Sequence, residues 1–198
     1  SDRRQMSTLK LRACLTRMRT TAINCVRGLL KSYDGIRVNK CSSETFADRA
    51  REVLPDELRA AVEPMLDHIA AATETIAAFE KEIARMADAN PGAKAVRQVA
   101  GIGDLTALTF ALIIQDPKRF RRSRDVGAYF GLVPSRFQSG DSDPELRISK
   151  TGNPMMRRLL VTAAHYILGP LNKTDSDLRR FGLAMAGGLL SLVSQFGD

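Results

Sequence analysis

Three features of the 198-residue sequence predict an all-α fold in which long coiled-coil helices precede a compact helical domain. Two are long apolar stripes with helical spacing in the first half. The third is a Gly-Ile-Gly turn set between apolar segments in the second half, the pattern of a helix-hairpin-helix. The chain accordingly divides into a basic helix and coiled-coil region at 1–92 and a compact C-terminal domain at 93–198, and it is long enough to bury a core.

In the first helix the apolar residues Leu11, Leu15, Met18, Ala22, Cys25 and Leu29 alternate spacings of four and three. The helix closes on "KSYDG", where Gly35 can adopt the left-handed conformation that helix ends favour. From Leu58 the same alternation runs through Val62, Met65, Ile69, Ala72, Ile76, Phe79, Ile83 and Met86. Pro64 predicts a kink or a fresh helix start, and "ANPG" at 89–92 stops the stripe. A seam shows only that something apolar covers it. A hairpin of the two helices and a homo-oligomer, dimer or tetramer, through the coiled coil are both open.

The second half is punctuated differently. "VRQVAGIGDLTALTFALII" puts Val96, Val99 and Ile102 around a tight turn, with Asp104 as the expected N-cap of a helix reaching Ile114. At Gly101, Ile102 and Gly103 the backbone can approach a phosphate closely, and the amides that open the next helix favour an anion there. Such a turn grips a nucleic-acid backbone without reading sequence, although a Gly-x-Gly between helices is also simply a tight corner. Lys118, Arg119, Arg121, Arg122 and Arg124 follow within seven residues, ahead of an apolar helix containing Ala128, Tyr129, Phe130 and Leu132. Further on, Asn153 caps a helix opened by Pro154, with Arg157 and Arg158 on its first turn, available to nucleic-acid phosphates, and a core face of Leu159, Leu160, Ala163, Ala164 and Ile167. His165 reads as a packing or capping residue.

Composition narrows the function. Thirty Lys and Arg against 22 Asp and Glu give a net charge of +8, and such an excess points to a polyanionic partner, here nucleic acid. Cys14, Cys25 and Cys41 are odd in number and lack paired spacing, which argues against a disulfide framework and a zinc site and fits a reducing compartment. No apolar run approaches ~18 residues, and no signal-peptide pattern is present, so a cytoplasmic location without membrane contact is expected. Asp141, Asp143 and Glu145 alternate in a loop without further ligands, so no metal site is expected in this chain. His68 and His165 have no neighbouring acid in sequence, which leaves a Ser-His-Asp triad unsupported.

The Gly-Ile-Gly turn, "DPKRF", "AYFGLVP", the Ser-Gly of "FQSG", and "RISKTGN" followed by "RRLL" occur in this order over the last half of the chain. Together they closely resemble the C-terminal domain of the IS-one-ten insertion-sequence transposases, the Piv and MooV type of DNA recombinase. "RMRTTAINCVRGLL" resembles the basic segment that enters the coiled coil in that family. The resemblance implies an RNase H-like domain upstream, with four acidic residues that bind a divalent metal such as Mg²⁺. It also implies DNA as substrate and a structured guide RNA as partner. After "SDLRRFGLAMAGG" the chain departs from the family's further basic helix.

By the same resemblance, Ser139 is the nucleophile that attacks a DNA phosphate. Gly140 admits the phosphate, and Arg147 and Lys150 neutralise the charge that builds on its oxygens. Ser149 is the rival hydroxyl, in a segment that reads as a helix entry. The isolated chain is expected to be inactive without the upstream domain. A non-catalytic module for DNA or RNA binding and oligomerisation is the alternative function.

Overall fold

The computed structural model describes residues 2–135, 146–170 and 174–185. The fold is all-α. Its helices are α1 (Asp2–Asp34), α2 (Phe46–Glu52), α3 (Asp56–Ala89), α4 (Pro91–Arg97), α5 (Asp104–Ile114), α6 (Arg124–Tyr129) and α7 (Pro154–Leu168), with a 3-10 turn at Pro117–Arg119. Residues 177–185 are also helical. The only β-type pairing among the described residues is an isolated antiparallel bridge between Pro134 and Ile148. The chain forms two compact units, Ser1–Met86 and Ala87–Asp198.

In the first unit α1 and α3 lie antiparallel, because Arg12 reaches Glu80 at 2.6 Å and Arg19 reaches Thr73 at 3.2 Å. Of the nine predicted α3 positions, Val62, Ile69, Ala72, Ile76 and Ile83 are buried and Leu58, Phe79 and Met86 half-buried. Leu66 is fully buried, whereas Met65 beside it is exposed. The helix runs through Pro64 without a fresh start. The lost hydrogen bond, with its ring clash, costs ~3 kcal/mol in a helix interior. Burial of Val62 and Leu66 on either side offsets this at ~1.5–3 kcal/mol per large side chain.

The seam of α1 differs from the expected one. Of the six predicted residues only Ala22 is buried, and Leu11, Met18 and Leu29 are exposed. The face turned inward is Leu9, Arg12, Thr16, Arg19, Ile23, Val26 and Leu30, a three-four alternation displaced by one residue, or ~100° around the helix. Three of its seven positions are polar, which concealed it. Each has a partner: Arg12 on Glu80, Thr16 on the Arg12 carbonyl at 2.9 Å, and Arg19 on Thr73 and Glu44. α2 closes one end of this hairpin, with Phe46 and Ala50 fully buried against Ile23, Val26, Leu30, Leu66 and Ile69.

The second unit is built around α5, which is apolar on most sides and buries Thr106 to Thr109, Leu112 and Ile114. The Thr109 hydroxyl satisfies itself on the Leu105 carbonyl at 2.6 Å. α4 packs closely on it, since a Cβ at Gly92 would lie 3.3 Å from that of Ala111. Ile114, Phe130 and Met156 form a buried cluster that ties α5 to α7. As expected, Asn153 caps α7, accepting from the Met155 and Met156 amides at 3.0 Å each. Ala163 and Ile167 are buried, Leu159 and Leu160 half-buried, and Ala164 exposed. His165 is exposed and bonds the Val161 carbonyl of its own helix, so it neither packs in the core nor caps another element.

Candidate nucleic-acid interface

The Gly-Ile-Gly turn joins α4 to α5. Gly101 has φ +90°, and a Cβ there would meet the Ile167 side chain at 2.5 Å, so glycine is required for both conformation and packing. Ile102 donates its amide to the Val99 carbonyl at 3.1 Å, and its side chain joins Ala163, Ile167 and Leu178 around a small apolar cavity. Gly103, rather than Asp104, is the N-cap of α5, and space beside its Cα is open. Asp104 is the first helical residue, and its carboxylate is engaged by Arg97 at 2.6 Å. Arg97 also holds Asp88 at 2.8 Å, and the two carboxylates raise its pKa, Asp104 contributing most.

The basic cluster lies after α5. Asp116 starts the 3-10 turn by accepting the Lys118 amide at 2.9 Å. The Arg119 guanidinium lies over two adjoining rings, 4.9 Å from the Tyr129 centroid and 5.2 Å from that of Phe120. Arg122 holds Asp125 at 3.7 Å, and Arg121 and Arg122 together line an open concavity. Lys118, Arg121 and Arg124 are exposed at this surface.

Tyr129 connects this cluster to a tight corner made by two distant stretches. Residues 131–135 and 146–151 run side by side. Ser135 donates its amide to the Arg147 carbonyl at 2.9 Å, Ser149 to Val133 at 2.8 Å, and Lys150 to Gly131 at 3.1 Å. Two glycines allow the approach. A Cβ at Gly131 would stand 2.2 Å from the Thr151 carbonyl oxygen, and one at Gly152 would stand 2.0 Å from that of Tyr129. Both glycines have positive φ. Lys150 takes φ +56°, an uncommon conformation for a residue with a side chain, held here by its place in the ladder.

Arg157 fastens the corner. One of its guanidinium nitrogens donates to the Phe130 carbonyl at 3.0 Å and to the Thr151 carbonyl at 2.8 Å. The side chain is half-buried, whereas Arg158 beside it is exposed. Arg147 and Lys150 thus lie in the backbone ladder that follows residue 145, and Arg157 braces the end of that ladder through the Phe130 and Thr151 carbonyls. Ser139 and Gly140 lie on the segment 136–145, outside the described residues. Sequence reading missed the carbonyl role of Arg157, whose partners lie up to 27 residues away. Gly131 and Gly152 were its available signal.

Residues 93–177 match the family model described as Transposase IS116/IS110/IS902 family. The chain is 34% identical over 175 residues to the transposase for insertion sequence element IS1111A of Coxiella burnetii, covering 84% of this chain and 48% of that protein. It is 31% identical over 183 residues to the transposase for insertion sequence element IS1328 of Yersinia enterocolitica, covering 89% and 54%. A probable family 20 transposase of Pseudomonas aeruginosa is 29% identical over 177 residues, covering 86% and 52%. The chain spans about half the length of the curated relatives it matches. The family-model match and these relatives, over an all-α chain whose second unit carries the matched region, identify residues 93–177 as a domain of the IS116/IS110/IS902 transposase family.

Proposed function

We propose that this chain is the C-terminal part of a DNA transposase and supplies Ser139 as the nucleophile for strand cleavage and transfer. The observation that best supports it is the fastened corner, which joins the two ends of the segment carrying Ser139 and Gly140 and sets Arg147 and Lys150 on one of those ends. The Ser139 hydroxyl oxygen would bond to phosphorus as the phosphorus–sugar oxygen bond breaks, and the departing sugar oxygen takes up a proton. A sugar hydroxyl of the strand to be joined then attacks the phosphoserine and releases the serine hydroxyl. Each step exchanges one phosphoester for another, so no nucleotide triphosphate is consumed. Arg147 and Lys150 offset the charge on the phosphoryl oxygens.

A divalent metal such as Mg²⁺ belongs, in this proposal, to the carboxylates of an RNase H-like domain elsewhere in the full protein, without which this chain is inactive. Among the described residues no group of three or more His, Cys, Asp or Glu is placed to hold a metal ion. DNA, and a guide RNA paired with it, are the proposed partners. Their backbones would meet the helix-hairpin-helix turn at Gly101 to Gly103, the cations Lys118, Arg119, Arg121, Arg122 and Arg124, and the exposed Arg158. Homo-oligomerisation is proposed through the exposed seam of α1. There Met18 and Cys25 line a groove of about 850 Å³ with Met65 and Pro64 of α3. Among the described residues no helix is long and apolar enough to cross a membrane.

The test is to trap the covalent protein–DNA adduct in the full-length transposase and map the attached residue by mass spectrometry. An adduct on Ser139, lost in Ser139→Ala with binding retained, is expected. Recombination that persists in Ser139→Ala without any adduct would overturn the serine mechanism. The non-catalytic binding and oligomerisation module would then be the better account. Arg157→Lys keeps the charge but removes the guanidinium nitrogen that bridges the Phe130 and Thr151 carbonyls. It should slow strand transfer while leaving the salt dependence of binding unchanged.

A further inference from the structure

The ten Lys and Arg of residues 1–40 face only two acids, Asp2 and Asp34, an excess equal to the net charge of the whole chain. These cations fall into two groups. Arg12 and Arg19 point inward and are paired with Glu80 and Glu44. Arg3, Lys10, Arg17 and Lys31 are exposed and recur at intervals of seven residues, with the neutral Asn24 completing the series. A spacing of seven keeps them on one line of a helix whose packed face also repeats every seven. At 1.5 Å per residue the line is ~42 Å long.

The line ends in a concavity. Gly35, with φ +65°, terminates α1, and the chain folds back so that Ile36 and Val38 pack on the core while Arg37 stays exposed. Arg27, Lys31 and Arg37 line the resulting hollow of about 300 Å³. Arg27 is oriented there by the buried Phe46 ring, 5.0 Å from its guanidinium. One cation near a helix C-terminus is accounted for by the helix dipole, which acts over the last turn only. It does not account for Arg3, Lys10 or Arg17.

The same unit supplies the contrast. On α2 and α3, Arg49, Arg51, Arg59 and Arg85 each hold a carboxylate within 4.0 Å. No ion pair is found for Arg3, Lys10, Arg17, Lys31, Arg27 or Arg37 among the described residues. Cations in register along one line of a long helix and left without ion pairs match a polymer of repeating negative charge. A line of ~42 Å is long enough to follow about one turn of duplex, ~34–36 Å.

We infer that the outer line of α1 is a second nucleic-acid site, in which Arg3, Lys10, Arg17 and Lys31 contact phosphodiester groups spaced along the backbone and the Arg27, Lys31, Arg37 hollow holds one phosphate. It rests on the proposal that the chain binds nucleic acid, and it adds a site on the first unit to the one proposed on the second. The shared chemistry is the phosphodiester backbone, which DNA and guide RNA both supply.

The experiment uses the whole chain with labelled 30-base-pair DNA and RNA duplexes, and reads the slope of log affinity against log salt. Combining Arg3→Gln, Lys10→Gln, Arg17→Gln and Lys31→Gln should flatten the slope by about 3 to 4, since each phosphate contact contributes about 0.9. Flattening on DNA alone, on RNA alone or on both supports the site and names its occupant. A control removes four charges from the other helices through Arg49→Gln, Arg59→Gln, Lys81→Gln and Arg85→Gln. Equal flattening by that control would show a general charge effect and overturn the inference. So would an unchanged slope in the α1 variant while Arg121→Gln, Arg122→Gln and Arg124→Gln together flatten it, a result that leaves the proposed function standing. No salt-dependent binding by the unmodified chain would overturn both. The substituted α1 residues are exposed, and an unchanged helical circular dichroism spectrum checks the fold.

Discussion

α1 and α3 are partners of almost equal length, 33 and 34 residues, yet they advertise their packing very differently. α3 buries most of the stripe its sequence predicts, with Leu66 inward in place of Met65, because its inward positions are apolar almost without exception. α1 turns Arg12, Thr16 and Arg19 inward and leaves Leu11, Met18 and Leu29 outside. The difference separates two properties usually read as one. Apolar spacing marks a face that gains from being covered, and in α3 the partner helix covers it. In α1 the partner covers the neighbouring face, where charged stems pack along the apolar surface and their heads find specific acceptors. The apolar face of α1 is left for another occupant.

The sharpest way to break this comparison is a pair of adjacent substitutions. Leu30→Ala removes a fully buried side chain and should lower stability by ~2–5 kcal/mol, whereas Leu29→Ala, on the exposed face, should change it by no more than ~0.5 kcal/mol. Chemical denaturation of the two variants reads the difference. Equal losses would restore the seam that apolar spacing alone predicts.

Arg19 sharpens the point at the next level. It is 7% exposed, and its Nε is buried without a partner. Arg19→Ala should cost about 1–3 kcal/mol through lost packing and the lost hydrogen bond to the Thr73 hydroxyl, which keeps its own bond to the Ile69 carbonyl. Arg19→Met keeps the volume and removes the charge, and should be neutral or stabilising, as replacement of a buried charge by an apolar side chain often is. A Met variant as unstable as the Ala variant would make the ion pair itself the source of stability.

Met18→Glu with Met65→Glu addresses the uncovered face. Unfolding of the monomer should shift by less than ~0.5 kcal/mol, while self-association measured by light scattering should be lost. An assembly that survives the pair of charges uses some other surface.

The smallest effect belongs to Glu44. Its pKa is lowered, first by a hydrogen bond from its own backbone amide, then by the Ser42 hydroxyl, with Arg19 adding attraction. A carboxylate depressed on folding stabilises the protein above its ordinary range, and that contribution disappears as pH falls through the depressed value. Glu44→Gln should therefore flatten stability between neutral pH and acid. Because the side chain is 62% exposed and screened, the change should stay within a few tenths of a kcal/mol.

Legibility followed the physics of each element. α3, the Asn153 and Pro154 start of α7, and the stop at Asn90 were readable because capping and apolar spacing are local. Asn90 does accept the Ala93 amide at 3.0 Å. Pro64 misled because a proline's local cost is visible and the burial that offsets it is not. The base of the candidate site was half readable: Arg147 and Lys150 were singled out, but nothing near Lys150 signals its left-handed backbone. Arg157 was assigned to phosphate because a cation on a first helical turn has no local sign of carbonyl partners elsewhere in the chain.

The inward arginines of α1 also set the mechanics of the hairpin. Heptad seams permit slippage by seven residues, ~10.5 Å, because each apolar position resembles the next. A slip of that size would hand one arginine the other's partner and leave the other without one: Arg19 would meet Glu80 while Arg12 faced Ala87, or Arg12 would meet Thr73 while Arg19 faced Leu66. The hairpin therefore behaves as a keyed strut. A pull on one end would have to break the bond of at least one arginine before either helix could move along its partner.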